Sequence, residues 1–190
     1  GSGASKEKLE NDLDQQFNQL KQLVAEHMVV DEDKPLQQVV GDLLKQRHKT
    51  MATAESCTGG YIAQLITSIA GSSDYFKGSV VSYANEVKEN VLKVSHDTLI
   101  RDGAVSESTV RQMVQGALLA LNTDFAVATS GIMGPGGGSE TKPVGTVWVA
   151  AGNKDEIVTQ LFHFRFDRAR NTEMAAINAL NLLRKFIAGH

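Results

Sequence analysis

The chain gathers a carboxylate, two hydroxyl groups and its single thiol into one short string that continues with two glycines. The string is AESCTGGY, residues 54–61. It separates a predicted strand from a predicted helix, and the first N–H groups of a helix have no partners within that helix. Such a position attracts anions and developing oxyanions, and Ser56 would place a nucleophile beside it. The structural alternative is that Ser56 or Thr58 simply caps the helix.

A second pair of reactive side chains follows another predicted strand, where Tyr83 precedes Lys88 by five residues. A strand-to-helix junction here would allow the phenol and the amine to face one cleft. A lysine acts as a base near neutral pH when burial or nearby positive charge lowers its pKa. Because lysines are seldom buried, a solvated Lys88 on a helix surface is the competing interpretation.

The third candidate is a glycine-rich loop, TSGIMGPGGGS, at residues 129–139. Its glycines permit a ligand to approach the backbone closely. The loop follows the most apolar predicted strand, and in open α/β sheets ligands bind at the carboxyl ends of strands. It matches neither the P-loop nor the dinucleotide fingerprint. The loop therefore predicts a small-molecule site of another kind, with a flexible hairpin as the alternative.

The elements that would position these loops alternate between helical and extended patterns from residue 36 onward. This alternation favours an α/β domain over a helical bundle or an all-β sandwich. The predicted helices span residues 36–45, 60–69, 85–92, 106–121 and 172–187. The predicted strands span residues 50–54, 79–84, 125–129, 145–151 and 157–164. Since all three polar loops follow strands, we expect them to converge on one edge of a sheet.

The first 34 residues differ in charge from the rest of the chain. Residues 6–34 hold eight acidic and four basic side chains, a net charge of −4, which leaves about +1 of the total of −3 for residues 35–190. An amphipathic helix is predicted from apolar residues spaced three or four apart, namely Leu9, Leu13, Phe17, Leu20 and Val24. We therefore divide the chain into residues 1–34, a tag remnant, connector helix and linker, and residues 35–190, a single domain.

The composition favours a small-molecule ligand. A net charge of −3 provides no excess of basic residues, so a nucleic-acid or membrane-surface partner is not expected. One cysteine cannot form an intrachain disulfide, and the five histidines follow no metal-binding pattern. No apolar run approaches the roughly 20 residues of a membrane span, and no signal peptide is apparent. A cytoplasmic protein without metal or cofactor is the expectation.

Taken together, the three polar strings resemble the CinA family, specifically its C-terminal nicotinamide mononucleotide deamidase domain. The matching strings, in order over residues 36–186, are TAESCTGG, GSVVSYANEVK, GAVSE, SGIMGPGGG and KPVGTVWVA. The resemblance implies a three-layer α/β/α sandwich around a mostly parallel or mixed sheet. It also implies an amidohydrolase that converts nicotinamide mononucleotide to nicotinate mononucleotide and ammonia during pyridine nucleotide recycling. Residues 1–34 look like the connector of longer CinA proteins, so an N-terminal domain of the same chain and a homo-oligomer are the expected partners.

The resemblance also assigns catalytic residues. The family's serine falls on Ser56, its tyrosine on Tyr83 and its lysine on Lys88, which implies a Ser-Lys mechanism in which the tyrosine holds the lysine. Backbone N–H groups near residues 58–60 would stabilise the oxyanion, while the glycine loop, Ser130 and Arg168 would receive the phosphate. The residues expected to bind substrate are Glu55, Thr58, Gly59, Gly60, Ser130, Gly131, Gly134, Gly136, Gly137 and Arg168.

Several alternatives remain at this stage. Cys57 is a rival nucleophile, because a helix N-terminus lowers the pKa of a thiol, and His96 and His163 are further candidate bases. A structural role for Glu55 competes with substrate binding. A non-catalytic nucleotide-binding or assembly domain is the alternative function, and DNA binding is a third that the charge balance disfavours.

The sequence departs from the family's pattern at two positions near the proposed site. Met133 stands where the family usually has alanine, and Thr172 replaces an arginine expected one turn beyond Arg168. The resemblance implies that both changes alter the rim of the pocket or its hold on phosphate.

Overall fold

The computed structural model of this protein describes residues 5–23 and 34–189. The chain divides into two compact units, residues 1–34 and residues 35–190. In the first unit, α1 (Lys6–Leu23) forms the helix that the apolar spacing predicts, and its apolar side chains are exposed. Val24 and residues 31–33 of the predicted linker lie outside the described residues. None of the helices in the two described ranges has both the length and the apolar composition needed to cross a membrane.

The second unit alternates helices and strands along the chain. Its helices are α2 (Leu36–Gln46), α3 (Tyr61–Thr67), α4 (Asn85–Asn90), α5 (His96–Arg101), α6 (Glu107–Leu121) and α7 (Arg168–Ala188). Its strands are β1 (Met51–Glu55), β2 (Phe76–Val81), β3 (Phe125–Gly131), β4 (Thr146–Gly152) and β5 (Ile157–His163). A short 3₁₀ turn, Ser72–Asp74, precedes β2.

The five strands form one mixed sheet in the order β2-β1-β3-β4-β5. Strand β1 pairs in parallel with β2 and β3, whereas β4 runs antiparallel to both β3 and β5. Because the three parallel strands are adjacent, their carboxyl ends lie along the same edge of the sheet. The loops that follow β1, β2 and β3 are therefore brought together, as the sequence predicts.

Helices cover both faces of the sheet, which gives the predicted three-layer α/β/α sandwich. Successive side chains of a strand point to opposite faces. Val127 and Val149 thus pack with α2, α3 and α7 in one apolar cluster, while Ala126 and Ala150 pack with α5 and α6 in another. The small alanines on the second face leave room for close packing of α6.

The main departures from the predicted elements are short segments and helix ends. Helix α5 has only six residues, too few for two turns of apolar periodicity, and it was not predicted. Helix α7 begins four residues earlier than predicted because the Asp167 side chain accepts a hydrogen bond from the Arg170 N–H at 2.9 Å and caps the helix. Strand β2 also begins and ends three residues earlier than predicted.

Candidate active site

Ser56 directly follows β1 and is held by the strands on either side. Its N–H donates to the Thr129 carbonyl oxygen of β3 at 3.0 Å. The carbonyl oxygen of the preceding residue, Glu55, accepts the Ser82 N–H beyond β2 at 2.8 Å. The main chain around the serine is therefore tied to both neighbouring strands, and its hydroxyl lines a cleft at the sheet edge.

Lys88 lies in α4 with 1% of its surface exposed. Its Nζ is 3.1 Å from the Ser56 Oγ, 2.6 Å from the Ser82 carbonyl oxygen and 3.4 Å from the Tyr83 carbonyl oxygen. Carbonyl oxygens can only accept hydrogen bonds, so these two hold two N–H bonds of the amine. The remaining tetrahedral position faces the serine, and in the neutral amine it is the lone pair.

Burial also affects the charge of this amine. Removal from water disfavours the ammonium form, and burial accordingly lowers the pKa of Lys88 from its ordinary value of 10.5. Burial thus favours the neutral amine, and the geometry then leaves its lone pair to accept the serine proton. The competing interpretation of Lys88 as a solvated surface lysine is wrong.

The Tyr83 phenol points away from the lysine. It is two-thirds exposed, and its hydroxyl oxygen accepts a hydrogen bond from Arg168 Nη2 at 3.2 Å. Only the Tyr83 carbonyl oxygen approaches Lys88. The expectation that the phenol holds the lysine is therefore corrected, since the chain turns outward after β2 and carries the ring to the rim of the cleft.

Arg168 joins this rim to the glycine loop. Its Nη1 donates to the Gly134 carbonyl oxygen at 2.8 Å, while Nη2 donates to Tyr83. Gly134 adopts a φ of 86°, a left-handed conformation that disfavours side chains. The Arg168 guanidinium lines the cleft and remains charged, so this end of the cleft is suited to an anionic group.

The cleft has a volume of about 270 Å³, near the lower end of the usual range for small-molecule sites. The predicted residues that line it are Ser56, Tyr83, Lys88, Ser130, Gly131, Gly134, Gly136, Gly137 and Arg168. Sequence reasoning missed five further lining or supporting residues: Asn85, Ala104, Val105, Ile132 and Asn171. The hydroxyl of Ser130 is engaged within the protein, since it donates to the Ala104 carbonyl oxygen at 2.7 Å.

Asn171 supports the cleft from behind. It is fully buried in α7, and its Nδ2 donates to the carbonyl oxygens of Met133 at 3.1 Å and Phe166 at 3.0 Å. The side chain thereby fixes the glycine loop to the start of α7, which carries Arg168. A buried asparagine in a helix gives no recognisable sequence signal, whereas Ala104 and Val105 fall within the GAVSE string.

The remaining predicted binding residues, Glu55, Thr58, Gly59 and Gly60, lie outside the cleft lining. The Gly60 N–H and the Thr58 hydroxyl both bond to the Glu55 carboxylate, at 3.0 Å and 2.8 Å. The Gly59 N–H donates to the Ser56 carbonyl oxygen at 3.2 Å. The Thr58 hydroxyl and the N–H groups of Gly59 and Gly60 are thus satisfied inside the protein, so the expectation that these groups contact substrate is corrected. Of the three predicted oxyanion donors, the Thr58 N–H remains.

Cys57 also lines the cleft, but its environment does not activate it. Burial raises the pKa of the Cys57 thiol to about 12, so the thiol is protonated near neutral pH. The expected lowering by a helix N-terminus does not occur because α3 directs its first N–H groups at Glu55. Of the two candidate nucleophiles, the geometry favours Ser56.

The two histidines lie away from this chemistry. The His96 Nδ1 lies 2.8 Å from a Glu89 carboxylate oxygen at the surface, and His163 ends β5; neither lines the cleft. Among the residues that the structure describes, no group of three or more His, Cys, Asp or Glu side chains could hold a metal ion.

The two departures from the family pattern occupy different places. Met133 is nearly buried and forms part of the cleft wall. Thr172 instead lines a more open hollow beyond Arg168, and its hydroxyl donates to the Arg168 carbonyl oxygen at 2.9 Å. Met133 therefore acts on the shape of the cleft, whereas Thr172 does not line it.

Comparison with known proteins gives consistent matches across the second unit. The model of the CinA C-terminal domain matches residues 33–187. A CinA-like protein of Cytophaga hutchinsonii is 42% identical over 185 residues, which cover 97% of this chain and 44% of that protein. A putative competence-damage inducible protein of Halothermothrix orenii is 39% identical, with coverage of 98% and 46%. The chain thus spans less than half the length of these curated relatives.

Solved structures match the same fold. The competence damage-inducible protein A of Klebsiella pneumoniae has a TM-score of 0.78 at 36% identity, covering 80% of this chain and 95% of that one. A competence/damage inducible protein of Agrobacterium tumefaciens has a TM-score of 0.76 at 38% identity, covering 78% and 91%. These matches show the fold and the sequence kinship, while the names of the matched proteins specify no reaction.

Proposed function

This chain belongs to the CinA family, as a C-terminal domain of that family, and we propose that it hydrolyses the carboxamide of nicotinamide mononucleotide. The products are nicotinate mononucleotide and ammonia, so the reaction recycles a pyridine nucleotide. The observation that carries the proposal is the buried Lys88 amine at 3.1 Å from the Ser56 hydroxyl. The resemblance supplies the substrate, and the cleft's cationic rim suits its phosphate.

The first half of the reaction forms an acyl-enzyme. Ser56 Oγ attacks the amide carbon while its proton passes to the lone pair of Lys88. The negative charge that develops on the amide oxygen needs N–H donors, each worth about 3 kcal/mol in comparable sites. The Thr58 N–H is the remaining candidate from the predicted set. Collapse of the tetrahedral intermediate breaks the C–N bond, and the Lys88 ammonium returns the proton to the departing ammonia.

The second half releases the acid. A water molecule attacks the acyl carbon, Lys88 accepts a proton from it, and the Ser56 oxygen leaves as the hydroxyl is restored. Lys88 thus serves as base and acid in both halves. Its carbonyl partners, Ser82 and Tyr83, keep the amine aimed at the serine throughout. Their acceptor oxygens also solvate the transient ammonium.

The other end of the substrate would be held at the rim. The Arg168 guanidinium would bind the ribose phosphate, since arginine matches phosphate oxygens with paired donors. The apolar side chains of Val105, Ile132 and Met133 line the same cleft and would contact the pyridine ring. In this arrangement the amide would lie near Ser56 and the phosphate near Arg168.

The test is a coupled ammonia assay with nicotinamide mononucleotide, nicotinamide riboside and NAD. We expect release from the mononucleotide by the parent protein and none above background from Ser56→Ala. Ammonia release by Ser56→Ala at the parent rate would remove the serine from the mechanism. Thermal stabilisation by the mononucleotide without any ammonia release would instead favour a non-catalytic nucleotide-binding domain.

A further inference from the structure

The Glu55 carboxylate is a buried charge that the proposed mechanism does not use. It ends β1, has no exposed surface, and points to the face of the sheet that carries α3. Its Oε2 accepts hydrogen bonds from the Thr58 hydroxyl at 2.8 Å and from the N–H groups of Gly60 and Ile62, each at 3.0 Å. Two of these donors belong to the start of α3.

The second oxygen is equally well occupied. Glu55 Oε1 accepts from the Ala63 N–H at 2.9 Å, the Thr53 hydroxyl at 3.1 Å and the Ser79 hydroxyl at 3.4 Å. Six donors therefore converge on one carboxylate, and no lysine or arginine is among them. An ionised carboxylate accepts and does not donate, so the donor set matches the charged form.

Burying a charge without an ion-pair partner is costly, and here the positive end of α3 offsets that cost. The carboxylate consumes the N–H groups that would otherwise make this helix end an anion site. A substrate phosphate or oxyanion thus cannot bind at the N–H groups of Gly60, Ile62 or Ala63. The charge on Glu55 has another consequence, which concerns the serine beside it.

Ser56 lies within the turn that this carboxylate closes. The main chain of Glu55 belongs to β1, and its side chain grips the first turn of α3, so the residues between them are fixed at both ends. Resting on the proposed function, we propose that Glu55 is the positioning residue of the site: its buried carboxylate fixes the β1–α3 turn and so aims the Ser56 hydroxyl at Lys88. Glu55 does not contact the substrate in this role.

The test compares Glu55→Gln with the parent protein. The glutamine side chain has an NH2 group in place of one carboxylate oxygen. This NH2 group would face hydrogen-bond donors of the turn and could not accept from them. Misplacement of a reacting group by about 1 Å can cost about 100-fold in rate, so we expect kcat for nicotinamide mononucleotide to fall by about that factor. KM should stay near the parent value, because the contacts proposed for the ground state lie elsewhere in the cleft.

A matched control lies at the other end of the same strand. The Asp124 carboxylate accepts from the N–H and hydroxyl of Thr50, just before β1, at 2.8 Å and 2.9 Å. Asp124→Asn should lower the melting temperature but leave kcat unchanged. Thr58→Val, which removes one of the six donors while keeping the side-chain shape, should give a smaller loss of kcat and serves if Glu55→Gln does not fold.

A second readout does not depend on the substrate. A fluorophosphonate labels an activated serine, as the Ser56 oxygen bonds to phosphorus, fluoride leaves and Lys88 takes the proton. We expect Glu55→Gln and Thr58→Val to be labelled more slowly than the parent, and Asp124→Asn at the parent rate. Folded variants labelled at the parent rate would overturn the role of Glu55, as would a raised KM with an unchanged kcat.

The same readout separates this inference from the proposed function. A parent protein that is labelled at Ser56 but releases no ammonia from nicotinamide mononucleotide would refute the proposed substrate, and the relative labelling rates would still decide the role of Glu55. A folded parent that is neither labelled nor active would overturn both.

Discussion

At the scale of single residues, the Lys88 amine is oriented by its neighbours and has a lowered pKa. Two carbonyl oxygens hold its N–H bonds and the third position faces Ser56. In the proposed mechanism neutral Lys88 is the base, so activity should disappear as pH falls through the pKa of Lys88 and should rise above that pKa. Because burial lowers the pKa of Lys88, the rise in kcat/KM should be complete below the ordinary lysine value of 10.5.

The measurement is a pH profile of kcat/KM for nicotinamide mononucleotide. Lys88→Arg should be inactive across the profile, since arginine remains charged. Lys77→Arg, at an exposed position of β2, should leave the profile unchanged. Activity that declines as pH rises through neutrality would contradict the role of a neutral lysine. By linkage, the free energy of unfolding should also increase between the lowered and the ordinary pKa of Lys88, where the unfolded chain binds the additional proton.

Arg168 allows a second prediction at this scale, because its proposed partner is the phosphate. A hydrogen bond to a charged group is worth about 1.5–3 kcal/mol, which corresponds to roughly 10- to 150-fold in affinity. Arg168→Ala should therefore lower kcat/KM for nicotinamide mononucleotide by about this factor and affect nicotinamide riboside much less. Arg170→Ala is the matched control, since Arg170 pairs with Glu173 and does not line the cleft. Equal losses for both substrates would contradict phosphate binding by Arg168.

At the scale of elements, the position of Lys88 depends on how α6 packs against the end of α4. A Cβ atom on Gly116 of α6 would overlap the Leu92 carbonyl oxygen and lie 2.6 Å from its carbonyl carbon. The contact is with backbone, which cannot move aside as a flexible side chain can. The Val94 N–H bonds to the Lys88 carbonyl oxygen at 3.0 Å. A shift of the Leu92 main chain would therefore reach the turn of α4 that carries Lys88.

Gly116→Ala should therefore reduce both stability and activity. Overpacking at a close contact costs about 1–3 kcal/mol, and we expect the upper end of that range because the obstacle is main chain. We also expect kcat to fall, since the shift reaches Lys88. Leu119→Ala, on the exposed face of the same helix, should change neither quantity. Chemical denaturation and steady-state kinetics of the two variants provide the check, and a fully active, stable Gly116→Ala would contradict this coupling.

The elements also show what the sequence could and could not predict. The predicted bounds of α6 and of every strand except β2 agree with the structure to within two residues, because apolar patterns extend over the length of these elements. The early start of α7 follows from one side-chain cap, Asp167, in a polar segment without periodicity. That start decides where Arg168 lies, and the aspartate was a readable helix-start signal. Helix α5 was too short for any such pattern.

The sequence predicted which reactive side chains meet at the site, but it did not predict the direction in which each side chain points. The convergence of Ser56 and Lys88 followed from strand ends and motifs. The outward direction of the Tyr83 phenol and the capping by Glu55 depend on the exact turn after each strand. A carboxylate next to a nucleophile reads equally as a ligand contact or as a structural cap until the α3 N–H groups are located.

At the scale of the whole molecule, the residues proposed to act in catalysis all belong to the second unit. Every residue that lines the cleft lies between Ser56 and Arg168, and the supporting contacts of Glu55 and Asn171 fall within residues 35–190. Both apolar clusters are likewise built from that range. In the first unit the structure describes α1, in which no residue is buried.

A protein consisting of residues 35–190 should therefore fold and keep the kcat and KM of the parent. Its association should differ, however, because removal of α1 deletes a stripe of exposed apolar side chains: Leu9, Leu13, Phe17, Leu20 and Leu23. Exposed apolar stripes favour association. We therefore expect sedimentation to show more chains per particle for the parent than for the shorter protein. Phe17→Glu in the full chain tests the stripe without truncation and should also lower the number of chains per particle. Loss of activity in residues 35–190 despite a cooperative melting transition would mean that the first unit completes the active site.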